Sequence, residues 1–129
     1  MRFMMSLPAP VEALEKAVAA PHKEVVTAMR KFNEEMTRAG VLLAAEGLHA
    51  TSKDTRIRVS GGKRVVTDGP FTEAKEVIAG FWIIQVKSKE EAIEWASRCP
   101  LPEGGLIEVR QVFENCDFPP ELQKKIAAS

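Results

Sequence analysis

Neither charge is in excess in this sequence: lysine plus arginine and aspartate plus glutamate both number 18. Proteins that bind nucleic acid ordinarily carry a surplus of basic side chains that releases counterions from phosphates. No such surplus and no long Lys/Arg cluster occurs here, which argues against a nucleic-acid partner. The two cysteines, Cys99 and Cys116, form neither a C-x-x-C pair nor a metal-ligand spacing. With only two histidines there is no clustered His/Cys set for zinc or haem, and H-E-x-x-H and G-x-S-x-G are missing too. Ser60-Gly61-Gly62 leads into a strand pattern, so it is not a phosphate-cradling loop at a helix start. No cofactor and no metal is expected. No stretch approaches the roughly 18 apolar residues of a membrane span. The short apolar run at residues 1–7 stops at Pro8 without a cleavage site, and reads as a first strand. The expectation is a soluble cytoplasmic protein with reduced thiols and no membrane partner.

What is there is an ordinary globular composition, 45% hydrophobic and 28% charged over 129 residues. That length suits one domain able to bury about two-thirds of its unfolded surface. The reading places the domain at residues 1–118 and a C-terminal tail at 119–129. Strand one should run over residues 2–7 and end at Pro8 and Pro10. Val11, Leu14 and Val18 recur at helical spacing, predicting a helix over residues 10–19 that Pro21 interrupts. Val25, Ala28, Met29, Phe32, Met36 and Ala39 then fall on one face of a second helix, which Gly40 stops. Residues 41–45 predict a strand pairing beside the first. Arg56-Ile57-Arg58-Val59 and Arg64-Val65-Val66-Thr67 flank Gly61-Gly62 and predict a hairpin. Residues 81–86 read as a central strand, Ser88-x-x-Glu91 as a capping box opening a helix, and residues 106–113 as the last strand. After Asp117 at most one helical turn is expected.

The element order is therefore β-α-β, a hairpin, then β-α-β. This is an α+β, ferredoxin-like arrangement with an inserted β-hairpin. Helices cover one face of such a sheet. The other face alternates Gln85 with Ile84 and Val86, and Glu108 and Arg110 with Ile107 and Val109. A second copy is the economical cover for it, so a homodimer with an internal cavity is expected.

Residues 67–76, Thr-Asp-Gly-Pro-Phe-Thr-Glu-Ala-Lys-Glu, resemble the signature of the DGPF branch of the YCII-related family. The likeness extends to Glu46-Gly47-Leu48-His49, Ala79-Gly80-Phe81-Trp82, residues 90–96 and residues 107–114, and covers roughly residues 1 to 118. It implies a ferredoxin-like subunit pairing into a dimeric α/β barrel with a cavity per subunit. A related YCII-like protein acts as a dehydrochlorinase. Related dimeric barrels include muconolactone isomerases and haem or quinone monooxygenases, and DGPF genes often lie near genes for extracytoplasmic-function sigma factors. These raise the expectation of a small-molecule cavity without naming its ligand.

Asp68 carries the best chemical case. In Asp-Gly-Pro it either shapes a turn through local backbone bonds or presents its carboxylate to the cavity as a base. His49, at the end of the second strand, is either satisfied by backbone or water or faces Asp68 as an imidazole–carboxylate pair. YCII relatives have been proposed to use a His–Asp pair. His22 sits solvated in a helical turn. Glu73, Lys75 and Glu76 read as solvated charges, with Lys75 also a candidate to meet substrate. Phe71, Trp82 and Trp95 read first as core, although Phe71 and Trp82 are also candidates to line a pocket, as is Gln85. Arg56, Arg58 and Arg110 either converge on an anionic ligand, Arg58 foremost, or lie exposed.

Three functions stand open at this point. One is a cofactor-independent enzyme of lyase or isomerase type, moving a proton on a small organic acid with Asp68 and His49. Another is a non-catalytic binding or regulatory module using the same cavity. A third places the function on the exterior, with Phe113 and residues 117–120 as a docking edge.

Overall fold

The computed structural model describes residues 1–71 and 75–128, with side chains through residue 124. The chain runs β1 (Arg2–Pro10), α1 (Val11–Ala19), α2 (Lys23–Arg38), β2 (Leu42–Gly47), β3 (Thr55–Ser60), β4 (Lys63–Asp68), β5 (Glu76–Gln85), α3 (Lys89–Ser97), β6 (Glu108–Gln111) and α4 (Pro120–Ala128). Among the described residues the strands make two sheets: a four-stranded one ordered β2-β5-β1-β6 and a two-stranded one, β3-β4. Every pairing is antiparallel. That order is the split β-α-β arrangement of ferredoxin-like α+β domains.

Strand β2 does not pair beside β1, as its position in the chain suggested; β5 lies between them. The helical crossover from β1 to β2 leaves a one-strand gap that the second half of the chain fills. Strand β1 also runs through Pro8 and Pro10 instead of ending at them, with its register shifting between Leu7 and Pro8. Proline lacks an N–H for the ladder. Beyond Ser6 strand β1 has no β6 partner, so the missing donor deprives no neighbour there.

Helix α2 ends as its glycine foretold. Gly40 takes φ +75°, its N–H donates to the Thr37 carbonyl, and the Val41 N–H donates to Met36. These are the two bonds of a Schellman stop. Phe32 and Met36 are buried, but Val25 is exposed, so the apolar stripe meets the sheet only along the later turns. Helix α3 opens at Ser88, whose Oγ accepts from the Glu91 N–H, while the Glu91 carboxylate reaches back to the N–H of Lys87. Strand β6 is shorter than predicted, because β1 offers it only residues 3–6 as partners. The tail forms a nine-residue helix instead of one turn, with Pro120 as its first residue, a position proline favours.

The core lies between the sheet and helices α2 and α3, around Phe3, Met5, Phe32, Met36, Trp82, Ile84 and Ala92. The Trp82 indole N–H donates to Asn33 Oδ1 at 2.7 Å, and its ring meets Phe32 edge-on at 5.5 Å. Cys99 is in this core, where burial pushes its thiol up to about 11. The opposite sheet face carries no helix among the described residues. Its register aligns Met4 with Ile83 and Arg110, and Ser6 with Phe81 and Glu108. The result is a half-buried apolar strip of Met4, Phe81 and Ile83 flanked by charge.

Candidate functional site

The hairpin turn takes the form its sequence dictates, with Gly61 at φ +58° and Gly62 at φ +77°. At the other end of β4 the chain folds back on the 3₁₀ turn Thr51–Lys53. The Gly69 N–H donates to the Asp54 carbonyl at 2.7 Å. A Cβ on residue 69 would fall on the carbonyl oxygen of Thr51, so the approach needs glycine. The Gly69–Pro70 peptide is cis. Phe71 then tucks in, 8% exposed, with the Arg56 guanidinium 3.7 Å above its ring. Asp68 itself is exposed, and its Oδ1 accepts from the Thr55 hydroxyl at 3.0 Å. The Asp-Gly-Pro-Phe segment thus clasps the foot of the hairpin to the 51–54 turn.

Two hollows flank that clasp. The larger, about 510 Å³, lies between the start of α1 and the clasp, walled by Val11, Pro70 and Phe71 and ringed by Glu12, Glu15 and Lys75. The smaller, about 290 Å³, has Leu14, Leu48 and Val77 as apolar walls and His49 and Asp54 as polar ones. Thr51 borders both. It is 2% exposed, and its hydroxyl finds no hydrogen-bond partner among the described residues. An unmade bond on a buried hydroxyl costs about 1–3 kcal/mol.

The structure separates the residues that the sequence grouped. Phe71 and Lys75 border the larger hollow; Lys75 is exposed, and its carbonyl accepts from the Val11 N–H at 3.2 Å. His49 borders the smaller one beside Asp54, whereas Asp68 borders neither. No hydrogen bond joins His49 to Asp68 among the described residues. Arg58 lies on the exposed hairpin, opposite Val65. Trp82 belongs to the helix-side core. Gln85 is at the far end of β5, roughly 30 Å from Glu76 at about 3.3 Å per residue. It borders a third hollow of about 310 Å³ with Arg2 and Glu114. There the Arg2 Nε and Nη2 donate to the Glu114 carboxylate at 2.7 and 3.0 Å. The hydrogen bond to the guanidinium holds Glu114 below the usual carboxylate range, with the guanidinium's charge adding to it. Glu73 lies outside the described residues.

Sequence reasoning missed Thr51, Asp54, Glu12 and Glu15. Thr51-Ser52-Lys53-Asp54 reads as a solvated polar loop, and nothing in it signals that one hydroxyl is sealed under the clasp. Glu12 and Glu15 carry a faint signal, since their i,i+3 spacing puts both on one helix flank. Among the described residues no group of three or more His, Cys, Asp or Glu is placed to hold a metal ion, and no helix is long and apolar enough to cross a membrane.

A small α+β domain with an added hairpin and hollows at its foot is the class these features define. The chain belongs to the YCII-related domain family, whose model matches residues 1–115. It is also similar to an uncharacterized protein of Rhizobium meliloti (strain 1021), 34% identical over 90 residues, or 68% of this chain and 69% of that protein.

Proposed function

We propose that this protein binds a small organic molecule at the paired hollows around Thr51, in a cytoplasmic homodimer whose copies close their bare sheet faces together. One observation carries the reading: a threonine hydroxyl is sealed at the border of two hollows without a partner among the described residues. A ligand donor or acceptor there would complete it. Val11, Phe71 and Pro70 offer apolar contact, and Lys75 offers charge at the rim. The dimer is supported by the uncovered strip of Met4, Phe81 and Ile83, at whose end Gln85 sits.

A second reading, proton transfer by a cofactor-independent lyase or isomerase, is favoured by His49 and Asp54 bordering the same hollow. In it His49 is the base that meets substrate, and Asp68 is a positioning residue that holds the clasp through Thr55. The test is thermal denaturation of the wild type and of Thr51→Val with a panel of small carboxylic acids and amides, each hit then assayed for turnover. The wild type should be stabilised by at least one compound. Thr51→Val should lose that shift while melting no lower by itself, because it removes an unsatisfied hydroxyl. Equal shifts in both proteins would defeat the proposal, and turnover of a hit would select the enzymic reading.

A further inference from the structure

The β3–β4 hairpin stands apart from the rest of the fold. Its two strands form a sheet of their own, and every residue in both is exposed. Its foot is pinned by the Thr55–Asp68 and Gly69–Asp54 bonds and by Phe71 beneath Arg56. Its register sorts the side chains by face. Ile57 opposes Val66 and Val59 opposes Arg64, giving one apolar face; Arg58 opposes Val65 on the other. Ile57, Val59 and Val66 are 66%, 59% and 63% exposed. A two-stranded ribbon is marginal in water until a third strand or a packed surface covers it.

The same chain presents a surface of matching character. Strand β6 is an edge of the main sheet, its outer backbone groups unpaired among the described residues. The chain beyond it exposes Phe113, stacked edge-on against Phe118 at 4.6 Å. A hollow of about 380 Å³ lies there, bordered by Val112, Phe113 and Asp117. Residues 103–121 hold Glu103, Glu108, Glu114, Asp117 and Glu121 against the single cation Arg110, whereas residues 57–67 of the hairpin hold Arg58, Lys63 and Arg64 and no acid.

We propose that the hairpin is an exchange arm: in the dimer each copy lays Ile57, Val59 and Val66 on the β6 edge of the other, over Val112 and Phe113, with Lys63 and Arg64 against the acidic segment. The inference rests on the two-copy reading given above and adds where the copies grip. A twofold axis makes the contact twice, since each copy owns one arm and one edge. Residues 55–68 and 106–118 together supply 27 residues per copy, within the roughly 20–30 a side of a standard stable interface. The apolar face favours a protein surface over nucleic acid, and the acidic edge of the same chain favours a second copy over an unrelated protein.

The experiment is sedimentation velocity on the full chain at micromolar concentration, for the wild type, the arm variant Ile57→Asp/Val66→Asp and the edge variant Phe113→Asp. The wild type should sediment at twice its 14.2 kDa mass. Each variant should weaken association at least about 100-fold, since two apolar contacts are lost per dimer. An equimolar mixture of the two variants should associate better than either alone, because one intact arm meets one intact edge. Wild type at 14.2 kDa would overturn both the exchange and the dimer. A wild-type dimer with both variants unchanged would overturn the exchange while leaving the closed sheet faces standing. Binding of a DNA duplex, lost in Arg58→Glu/Lys63→Glu/Arg64→Glu, by an arm that does not affect the dimer would also overturn it. Should a variant misfold by circular dichroism, zero-length cross-linking of mixed light and heavy-isotope wild type decides. Lys63 must then couple to an acid of residues 103–121 on the other isotope, and its failure to do so rejects the exchange.

Discussion

Ile84 in β5 and Ile57 in β3 both sit in strands with apolar residues at every second position, yet Ile84 is fully buried and Ile57 is 66% exposed. In β5 the alternation has a counterpart: Phe3, Met5 and Ala45 flank Trp82 and Ile84 from the neighbouring strands, and Phe32 and Met36 close over them from α2. In β3 it has only β4, where Val66 opposite Ile57 shares its face and is as exposed. Period-two patterning therefore reports that a strand has a face to hide. It does not report what hides it. What separates the two in sequence is the second face, apolar in Phe81-Trp82-Ile83-Ile84 and charged in Arg56-Ile57-Arg58-Val59.

The sharpest way to break this contrast is a pair of truncations followed by urea unfolding. Ile84→Ala should cost about 2–5 kcal/mol, the range for emptying a packed site. Ile57→Ala should change the unfolding of the single chain by less than about 0.5 kcal/mol, as for other exposed positions. Comparable losses would mean the hairpin belongs to the core after all. Next in size is Gly69→Ala at the clasp between the two regions. Its methyl would collide with the Thr51 carbonyl and press on Phe71, so a loss of about 1–3 kcal/mol is expected, as for other overpacked sites. No measurable loss would show that the clasp is loose.

The smallest effect concerns pH at the opposite end of the sheet. Glu114 is held below its ordinary value of 4.5 by Arg2. A carboxylate depressed on folding adds stability that is complete above its unfolded value and fades as pH falls through the folded one. Glu114→Gln should therefore flatten the acid limb of the stability curve below about pH 4.5, and only slightly, because the pair is 43% and 32% exposed. An unchanged limb would assign the acid sensitivity to other carboxylates.

The fold was legible where a local rule had one outcome. Gly40 stops α2 and Gly61-Gly62 turns the hairpin by positive φ angles that few other residues adopt, and Ser88 caps α3 through its hydroxyl oxygen. It was obscure where the outcome depended on a distant neighbour. Pro8 and Pro10 looked like strand ends, but a missing donor matters only if a partner strand needs it. The site divided in the same way. Asp-Gly-Pro-Phe was readable as a turn; that it would seal Thr51 was not, since the sealing needs the 51–54 backbone to arrive beneath Gly69. His49 was recognisable as a titratable group; that it would line a hollow together with Asp54, five residues on, was not.

The burial of Cys99 has a practical corollary. A thiol held at about 11 is almost wholly protonated at neutral pH and offers no thiolate to an electrophile. Cys116 is exposed, so the chain has one addressable thiol without mutagenesis. A dye or spin label placed there stands three residues from Phe113, on the side of the molecule where a neighbour's approach would change its surroundings.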